Sequence, residues 1–308
     1  MYIKSNLIKT IMTITLNKTT HSLSLAKAIL FALACVFIFI LIAIVCDLFT
    51  FWIPFNVLKI VIRELFLRMP LTIFALHLFA GKVIKAYNPT VIYGKLTLLN
   101  TLKWTIISFI LPVLVWLFYY VFHFAGLFKH TISLSTADLS GILVKWTAIS
   151  IAAGLTEEVL FRGHLFMIIS SSCSKFKAIL ISSLIFGLVH IFMLSSFSLV
   201  DIMIVVAGGF IAGIMFSCIY QYTKVIWYAA IVHGIWDVFF IGKITNLAAS
   251  QADANHTIIA FKLTTKSMLL TGGNFGLEAG LPCLIVYLLV IGCFIFAGRL
   301  YSKEFKTN

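Results

Sequence analysis

Long uncharged apolar runs dominate this sequence and decide what it can fold into. The clearest covers residues 28–46, all of which are apolar. A helix needs roughly 20 apolar residues to cross the hydrocarbon core of a bilayer, which is about 30 Å thick. Each run of this length therefore predicts a transmembrane helix. The other runs are 104–128, 178–200, 202–223 and 279–298.

Three further segments are apolar but interrupted by polar residues, and they cover 65–84, 139–162 and 225–243. Composition favours counting them as spans. Hydrophobic residues make up 62% of the chain and charged residues 11%, whereas a soluble domain is about 25% charged. We therefore predict an all-α integral membrane protein, a polytopic bundle of about eight transmembrane helices. Of these, 65–84 has the weakest pattern.

Basic residues lie between the apolar runs. The chain has 23 Lys and Arg against 10 Asp and Glu, and basic residues that flank transmembrane helices favour the cytoplasmic side. A nucleic-acid-binding protein would instead gather them in a polar domain, so we expect membrane lipid and no nucleic acid as a partner. The basic ends predict that both termini are cytoplasmic. Short loops between the helices favour a bacterial plasma membrane.

These runs divide the chain into five regions. They are a basic cytoplasmic N-terminal segment (1–27), the N-terminal transmembrane helices (28–138), a core with polar interruptions (139–243), an extramembrane loop (244–278), and the last transmembrane helix with a basic tail (279–308).

Ionisable residues inside apolar segments are the candidate functional groups, because each costs about 2.5 to 3.5 kcal/mol to insert near the bilayer centre. The fourth predicted helix contains Glu157 and Glu158. Adjacent helical residues point about 100° apart, so these two cannot face one partner. Arg162 follows Glu158 by four residues, a spacing that pairs an acid with a base. We expect Glu158 and Arg162 to support each other and Glu157 to face a cavity.

Two other helices contribute ionisable groups. His190 lies in the fifth, and His233 and Asp237 lie four residues apart on one face of the seventh. Each group alone is compatible with a packing role, such as a hydrogen bond between helices. Together with the two glutamates they predict a polar cavity between the fourth, fifth and seventh helices.

These residues form three short motifs. They are E-E-x-x-x-R at Glu157, Glu158 and Arg162, F-x-x-x-H at Phe186 and His190, and H-x-x-x-[N/D] at His233 and Asp237. In this order they resemble the motifs of the CPBP intramembrane proteases, over about residues 140–240. That family includes CAAX-prenyl endopeptidases and bacterial proteins linked to bacteriocin processing and self-immunity. The prenyl proteases have Asn where this chain has Asp237, which bears on any role that needs a neutral amide donor.

The resemblance implies an intramembrane endopeptidase that cleaves a prenylated, hydrophobic or membrane-tethered peptide. Glu157 would activate a water molecule as a general base. His190 would orient that water, and His233 would donate a hydrogen bond to the oxyanion. Asp237 would fix the tautomer of His233 or bind a metal ion.

The sequence leaves the presence of a metal ion open. Glu157, His190 and His233 form a Glu-and-two-His set of the kind that binds zinc, and the family is commonly labelled as metalloproteases. However, the chain lacks an H-E-x-x-H motif, and a metal-free, glutamate-activated water has been proposed for the prenyl proteases. The sequence therefore establishes no cofactor, and Zn²⁺ stays an open alternative.

Two other functions stay open at this point. An ion-coupled transporter would use the same groups as a proton relay, but the chain shows no internal repeat of the kind found in many transporters. A non-catalytic membrane protein would confer immunity by binding a bacteriocin or its receptor. Neither the substrate nor the oligomeric state follows from the sequence.

Overall fold

The computed structural model describes residues 23–84, 90–127, 134–195, 197–242, 244–247 and 257–304. Parts of all five predicted regions lie outside the described residues. They are residues 1–22 of the basic N-terminal segment, 85–89 and 128–133 of the N-terminal transmembrane region, 196 and 243 of the core, 248–256 of the predicted extramembrane loop, and 305–308 of the basic tail.

Helices make up most of the described chain. In order they are α1 (Leu25–Thr50), α2 (Asn56–Val61), α3 (Met69–Val83), α4 (Thr90–Tyr93), α5 (Leu98–Val121), α6 (Thr136–Glu158), α7 (Phe166–Ser170), α8 (Lys175–Val189), α9 (Leu199–Thr223), α10 (Ile226–Phe240), α11 (Met268–Thr271) and α12 (Leu281–Glu304). π-helical turns join α2 to α3 and α6 to α7, at Ile62–Arg68 and Val159–Leu165. Short 3-10 segments lie at His190–Met193 and Leu277–Ala279.

Several of these helices can cross a membrane, which confirms the predicted all-α polytopic membrane protein. Within the described residues, five are long and apolar enough: Leu25–Thr50, Leu98–Val121, Thr136–Ser170, Lys175–Met193 and Leu199–Thr223. Two shorter apolar helices are Ile226–Phe240 and Leu281–Phe296. The outer faces of the helices expose large apolar side chains such as Phe37 and Leu48 of α1, as a surface in contact with lipid requires.

The weakest predicted span, 65–84, lies in the continuous helical stretch formed by α2, the first π-helical turn and α3. Three of its charged residues, Arg63, Glu64 and Arg68, form ion pairs. Glu64 is 3% exposed and accepts hydrogen bonds from Arg63 at 2.9 Å and from Arg68 at 3.1 Å. Arg63 also pairs with Asp47 of α1. The charges that weaken the hydropathy of this stretch therefore tie it to α1.

Serine side chains set the start of several helices and shift them from the predicted apolar runs. The Ser198 hydroxyl accepts a hydrogen bond from the backbone N–H of Asp201, so α9 begins at Leu199, three residues before the run that predicted it. Ser174 caps α8 in the same way. The predicted fifth span, 178–200, is too long at its end, because the chain leaves the helix after Met193.

Two glycines let α6 and α10 pack closely. A Cβ atom on Gly154 would lie 2.6 Å from the backbone nitrogen of Gly234, and one on Gly234 would lie 3.1 Å from the carbonyl oxygen of Ser150. Only the absence of both side chains permits this approach. It places the last turn of α6 beside the middle of α10, where the predicted site residues of both helices lie.

The sequence did not predict a small three-stranded sheet outside the helical bundle. Its strands are β1 (Ala125–Leu127), β2 (Thr245–Leu247) and β3 (Ile259–Leu263), in the order β1-β3-β2. β3 pairs antiparallel with β1 and parallel with β2. The ring of Phe261 on β3 stacks on Trp116 of α5 at 4.2 Å between centroids, so part of the predicted loop 244–278 is attached to the bundle.

Candidate active site

A cavity of about 760 Å³ lies inside the bundle, and four of the six predicted site residues line it. Glu157 comes from α6, His190 from the 3-10 segment after α8, and His233 and Asp237 from α10. The other two, Glu158 and Arg162, are buried in the protein beside them. The structure thus places all six predicted residues in one region of the fold.

Glu158 connects two helices by accepting two hydrogen bonds on one oxygen. Its Oε1 lies 2.8 Å from Nη1 of Arg162 and 2.8 Å from Nδ1 of His233. An ionised carboxylate only accepts hydrogen bonds, so Nδ1 of His233 donates and Nε2 is left to face the cavity. Glu158 is therefore the residue that fixes the ring of His233. The family resemblance implies that Asp237 fixes this tautomer or binds a metal ion; in the structure, Oδ1 of Asp237 lies 3.6 Å from Nε2 of the same ring.

Arg162 is held by aromatic rings as well as by its carboxylate. Its guanidinium carbon lies 4.4 Å from the ring centroid of Phe186, 5.1 Å from that of Phe216 and 5.8 Å from that of Phe161. Nη2 also donates to the carbonyl oxygen of Gly213 at 3.3 Å. Cation–π contacts of this kind stabilise a buried cation, which gives the phenylalanine of the F-x-x-x-H motif a structural role.

Two carboxylates face the free nitrogen of His233. Oε2 of Glu157 lies 3.8 Å from Nε2, and Oδ1 of Asp237 lies 3.6 Å from the same atom. Both distances exceed those of a hydrogen bond. Oε2 of Glu157 is buried and has no hydrogen-bond partner among the described residues. The cavity therefore presents an imidazole nitrogen and two carboxylates that are not joined directly.

The backbone of its own helix fixes the orientation of His190. Nδ1 of His190 lies 2.6 Å from the carbonyl oxygen of Phe186. A carbonyl oxygen only accepts, so Nδ1 carries a proton and donates it, and Nε2 is the atom left for other partners. The neutral ring then has an acceptor at Nε2 on the wall of the cavity.

The structure adds cavity residues that the sequence analysis did not single out. Phe275 and Glu278 line the cavity from the segment that precedes α12, Asp47 lines it from α1, and Arg68 lines it from the first π-helical turn. Glu278 is one of ten acids in the chain and directly precedes the apolar run 279–298. This position beside an apolar run is the sequence feature that could have identified Glu278 as a candidate site residue.

The residues predicted as zinc ligands do not form a ligand set. Among the residues that the structure describes, no group of three or more His, Cys, Asp or Glu side chains is arranged to hold a metal ion. Glu157, His190 and His233 line one cavity. Nδ1 of His233 is bound to Glu158, and Nε2 lies 3.8 Å from Oε2 of Glu157.

Comparison with known proteins gives one match. Residues 139–239 match a family model described as type II CAAX prenyl endopeptidase Rce1-like. No curated protein and no solved structure matches the chain. The matched segment runs from α6 to α10 and contains all six predicted site residues. It confirms the predicted resemblance: over residues 139–239, about a third of the chain, this multi-pass membrane protein is similar to type II CAAX prenyl endopeptidases of the Rce1-like family.

Proposed function

We propose that this protein is an intramembrane endopeptidase that hydrolyses a peptide bond by means of a glutamate-activated water. The observation that carries the proposal is the difference between two adjacent glutamates. Glu158 is fully buried, lies outside the cavity lining and shares Oε1 with Arg162 and His233. Glu157 lines the cavity. Oε2 of each glutamate has no hydrogen-bond partner among the described residues, but only that of Glu157 belongs to a residue of the cavity wall. Glu158 therefore has a structural role, and Glu157 is the carboxylate that is available to react with a water molecule.

Glu157 is the general base of the proposed mechanism. It takes a proton from a water molecule in the cavity as the water oxygen attacks the carbonyl carbon of the substrate. His190 presents Nε2 to the cavity, because Nδ1 is bound to the Phe186 carbonyl, and that acceptor orients the same water. Two groups from different helices then fix the direction of attack.

His233 is the proposed donor to the oxyanion. The bond from Nδ1 to Glu158 fixes the ring, and with a proton on Nε2 the ring donates to the negative oxygen that forms in the tetrahedral intermediate. Asp237 lies 3.6 Å from the same nitrogen, at the position where the prenyl proteases have Asn. A protonated Asp237 supplies a neutral donor there, as an amide would.

The cavity favours an apolar substrate. Its volume of about 760 Å³ falls within the range of about 300 to 1,000 Å³ that is typical of ligand pockets. Val36, Phe39 and Ile40 of α1 line it together with Phe161 and Phe186. An apolar peptide segment or a prenyl chain fits such a lining. The name of the matched family, a CAAX prenyl endopeptidase, favours a prenylated peptide as the first substrate to test.

The position of the protein in the cell is part of the proposal. Basic residues at both ends of the chain favour cytoplasmic termini, and we place the protein in a bacterial plasma membrane. Bacteriocin processing or self-immunity is a role that the family suggests. Protection that survives Glu157→Gln would favour immunity by binding over immunity by proteolysis.

The test uses the full chain reconstituted in lipid vesicles. The probes are a quenched fluorescent peptide with a farnesylated CAAX end and the same peptide without the lipid. Glu157→Ala is expected to lower cleavage by at least about 100-fold, the typical contribution of a general base, while the variant still inserts. Asp138→Ala is the matched control, because Asp138 is an exposed carboxylate in the first turn of the same helix. Unchanged turnover in Glu157→Ala contradicts the proposal.

A further inference from the structure

Glu278 reaches the cavity from outside the segment that matches the protease family. It lies in the 3-10 segment Leu277–Ala279, just before α12, whereas the family match ends at residue 239. Glu278 lines the same cavity as Glu157, His233 and Asp237. Glu278 is therefore a carboxyl group of the cavity wall that the three family motifs do not provide.

The segment that carries Glu278 is anchored on both sides. Before it, both carboxylate oxygens of Asp201 in α9 accept hydrogen bonds from Asn274, from the backbone N–H at 2.9 Å and from the side-chain amide at 2.8 Å. After it, the hydroxyl of Tyr287 in α12 donates to the carbonyl oxygen of Glu278 at 3.3 Å. Ala279 packs on Gly208, where an added Cβ would lie 3.0 Å from the Cβ of Ala279. These contacts hold Glu278 in place at the cavity wall.

One carboxyl oxygen of Glu278 is buried without a partner. This oxygen, Oε1, has no hydrogen-bond partner among the described residues. The ionisable groups that act on the carboxyl are Asp237 and His233 of α10 and Glu157 of α6. Glu278 in turn acts on Cys283 and Tyr287 of α12.

Charge balance decides which form these carboxyl groups take. Buried charges have to be paired, and Arg162 pairs with Glu158. Asp47 and Arg68, which also line the cavity, are in ion pairs with other residues. A doubly protonated His233 balances one further carboxylate. Three carboxyl groups, those of Glu157, Asp237 and Glu278, share that one cation, so a neutral site requires two of them to be protonated.

We propose that Glu278 is a further catalytic residue, the protonated acid that delivers a proton to the leaving amine. The inference rests on the proposed proteolytic function, in which Glu157 is the ionised base. In peptide hydrolysis the amide nitrogen must gain a proton before it leaves. Glu278 enters from a different element than the base, so the base and the acid reach the scissile bond from different walls of the cavity.

The step balances as follows. The water oxygen forms a bond to the carbonyl carbon, and one water proton moves to Glu157. The carbon–nitrogen bond then breaks, and the nitrogen takes its proton from Glu278. At that point Glu157 carries one proton and Glu278 carries none. Transfer of that proton from Glu157 to Glu278 through water in the cavity restores both residues.

Burial supports the protonated form. Burial raises the pKa of the Glu278 carboxyl well above its usual range, and the nearby charges of Asp237 and Glu157 raise it further while His233 opposes them. Two neighbouring carboxylates and an apolar surrounding thus favour a bound proton at neutral pH.

The activity test compares an amide with an ester in the reconstituted full chain. The amide probe is the farnesylated peptide, and the ester probe is the same peptide with an activated aryl ester in place of the scissile amide. An aryl oxide leaves without being protonated. Glu278→Gln is therefore expected to lower kcat for the amide by about 100-fold, with KM unchanged, and to leave ester hydrolysis unchanged. Glu157→Ala is expected to lose both activities.

Glu64→Gln is the matched control, because Glu64 is a buried glutamate outside the cavity lining. It is expected to keep wild-type rates on both probes. Amide cleavage at the wild-type rate by Glu278→Gln overturns the inference. An equal loss of amide and ester hydrolysis also overturns it, because a structural role would affect both probes alike.

A second measurement does not depend on activity. In infrared spectra of the reconstituted protein at neutral pH, Glu278→Gln is expected to remove one carbonyl-stretching band of a protonated carboxyl group, and Glu64→Gln is expected to remove none. An unchanged band in Glu278→Gln overturns the inference even where the wild type cleaves both probes. A wild type that cleaves neither probe contradicts the proposed function, and the infrared result still decides the state of Glu278.

Discussion

Glu158 and His233 are 75 residues apart in the sequence and are joined by a contact of 2.8 Å between Oε1 and Nδ1. The same oxygen of Glu158 accepts a hydrogen bond from Arg162. Glu158 therefore links α6 to α10 and holds the imidazole so that its other nitrogen faces the cavity. The first glutamate of the motif faces the cavity, and the second organises the structure around it.

The two adjacent glutamates are expected to differ in what they contribute to stability. Glu158→Ala leaves Arg162 as a buried unpaired cation and frees His233, and breaking a buried pair in this way costs about 3 to 5 kcal/mol. Glu157→Ala removes an oxygen that has no partner among the described residues, so the free energy of unfolding is expected to change little. Denaturant unfolding in detergent micelles measures the free energy of unfolding of both variants. Equal losses in the two variants would contradict this division of roles.

Gly154→Ala is expected to disrupt both stability and cleavage. The new Cβ would lie 2.6 Å from the backbone of Gly234, so α6 and α10 must move apart, and Glu158 would lose its contact with His233. Gly141→Ala on the same helix is the control, because its Cβ would meet only Val57 at an ordinary distance of 3.6 Å. Thermal unfolding and cleavage of the prenylated peptide should separate the two variants. If the Gly154→Ala variant unfolds and cleaves like the wild type, the close crossing of α6 and α10 does not position the site.

Asp237→Asn is expected to keep activity near that of the wild type. The carboxylate lies 3.6 Å from Nε2 of His233, beyond hydrogen-bonding distance, and the prenyl proteases have Asn at this position. Asp237→Ala removes the polar group altogether and is expected to lower kcat/KM. The measurement is kcat/KM on the prenylated peptide for both variants. Loss of activity in Asp237→Asn equal to that in His233→Ala would mean that the negative charge itself is needed.

Asp201→Ala is expected to loosen the segment that carries Glu278. Asp201 accepts both hydrogen bonds from Asn274 and is 2% exposed. Without it, the backbone amides of 272–280 should exchange faster with solvent deuterium, while those of α6 and α10 keep their protection. Unchanged exchange in 272–280 would show that the contacts of Tyr287 and Ala279 are sufficient.

Stability is expected to depend on pH through Glu278. Because burial raises the pKa of this carboxyl in the folded protein, the fold binds a proton that the unfolded chain releases at lower pH. The contribution of Glu278 is therefore fully present below the unfolded pKa of about 4.3 and is lost as the pH rises through the folded pKa. The free energy of unfolding, measured from pH 5 to pH 8, should fall less steeply in Glu278→Gln than in the wild type. Parallel curves would contradict this.

The sequence predicted the polar residues of the three motifs because each stands out against an apolar helix. Two features of the site could not be predicted in that way. The bond between Glu158 and His233 depends on how closely α6 and α10 cross, which the missing side chains of Gly154 and Gly234 permit. Glu278 lies in a predicted loop, where an acidic residue is ordinary, and only the anchoring by Asn274 and Tyr287 turns it toward the cavity.

The fold, too, could be predicted only in part from the sequence. Uncharged apolar runs predicted the long helices, since a bilayer requires their length. The strands β1 and β2 have three residues each, too few for an alternating pattern to appear in the sequence. The starts of α8 and α9 differ from those of the predicted apolar runs, because single serine side chains determine where these helices begin.

The pairing of Glu158 with Arg162 has a consequence for the biogenesis of the protein. Both residues lie one helical turn apart in the same stretch, so they can neutralise each other as soon as that stretch leaves the ribosome. Helix α10, which supplies His233, is synthesised later. An unpaired charge would slow the entry of α6 into the bilayer through the translocon. The chain can therefore insert α6 before the helix that supplies His233 has been translated.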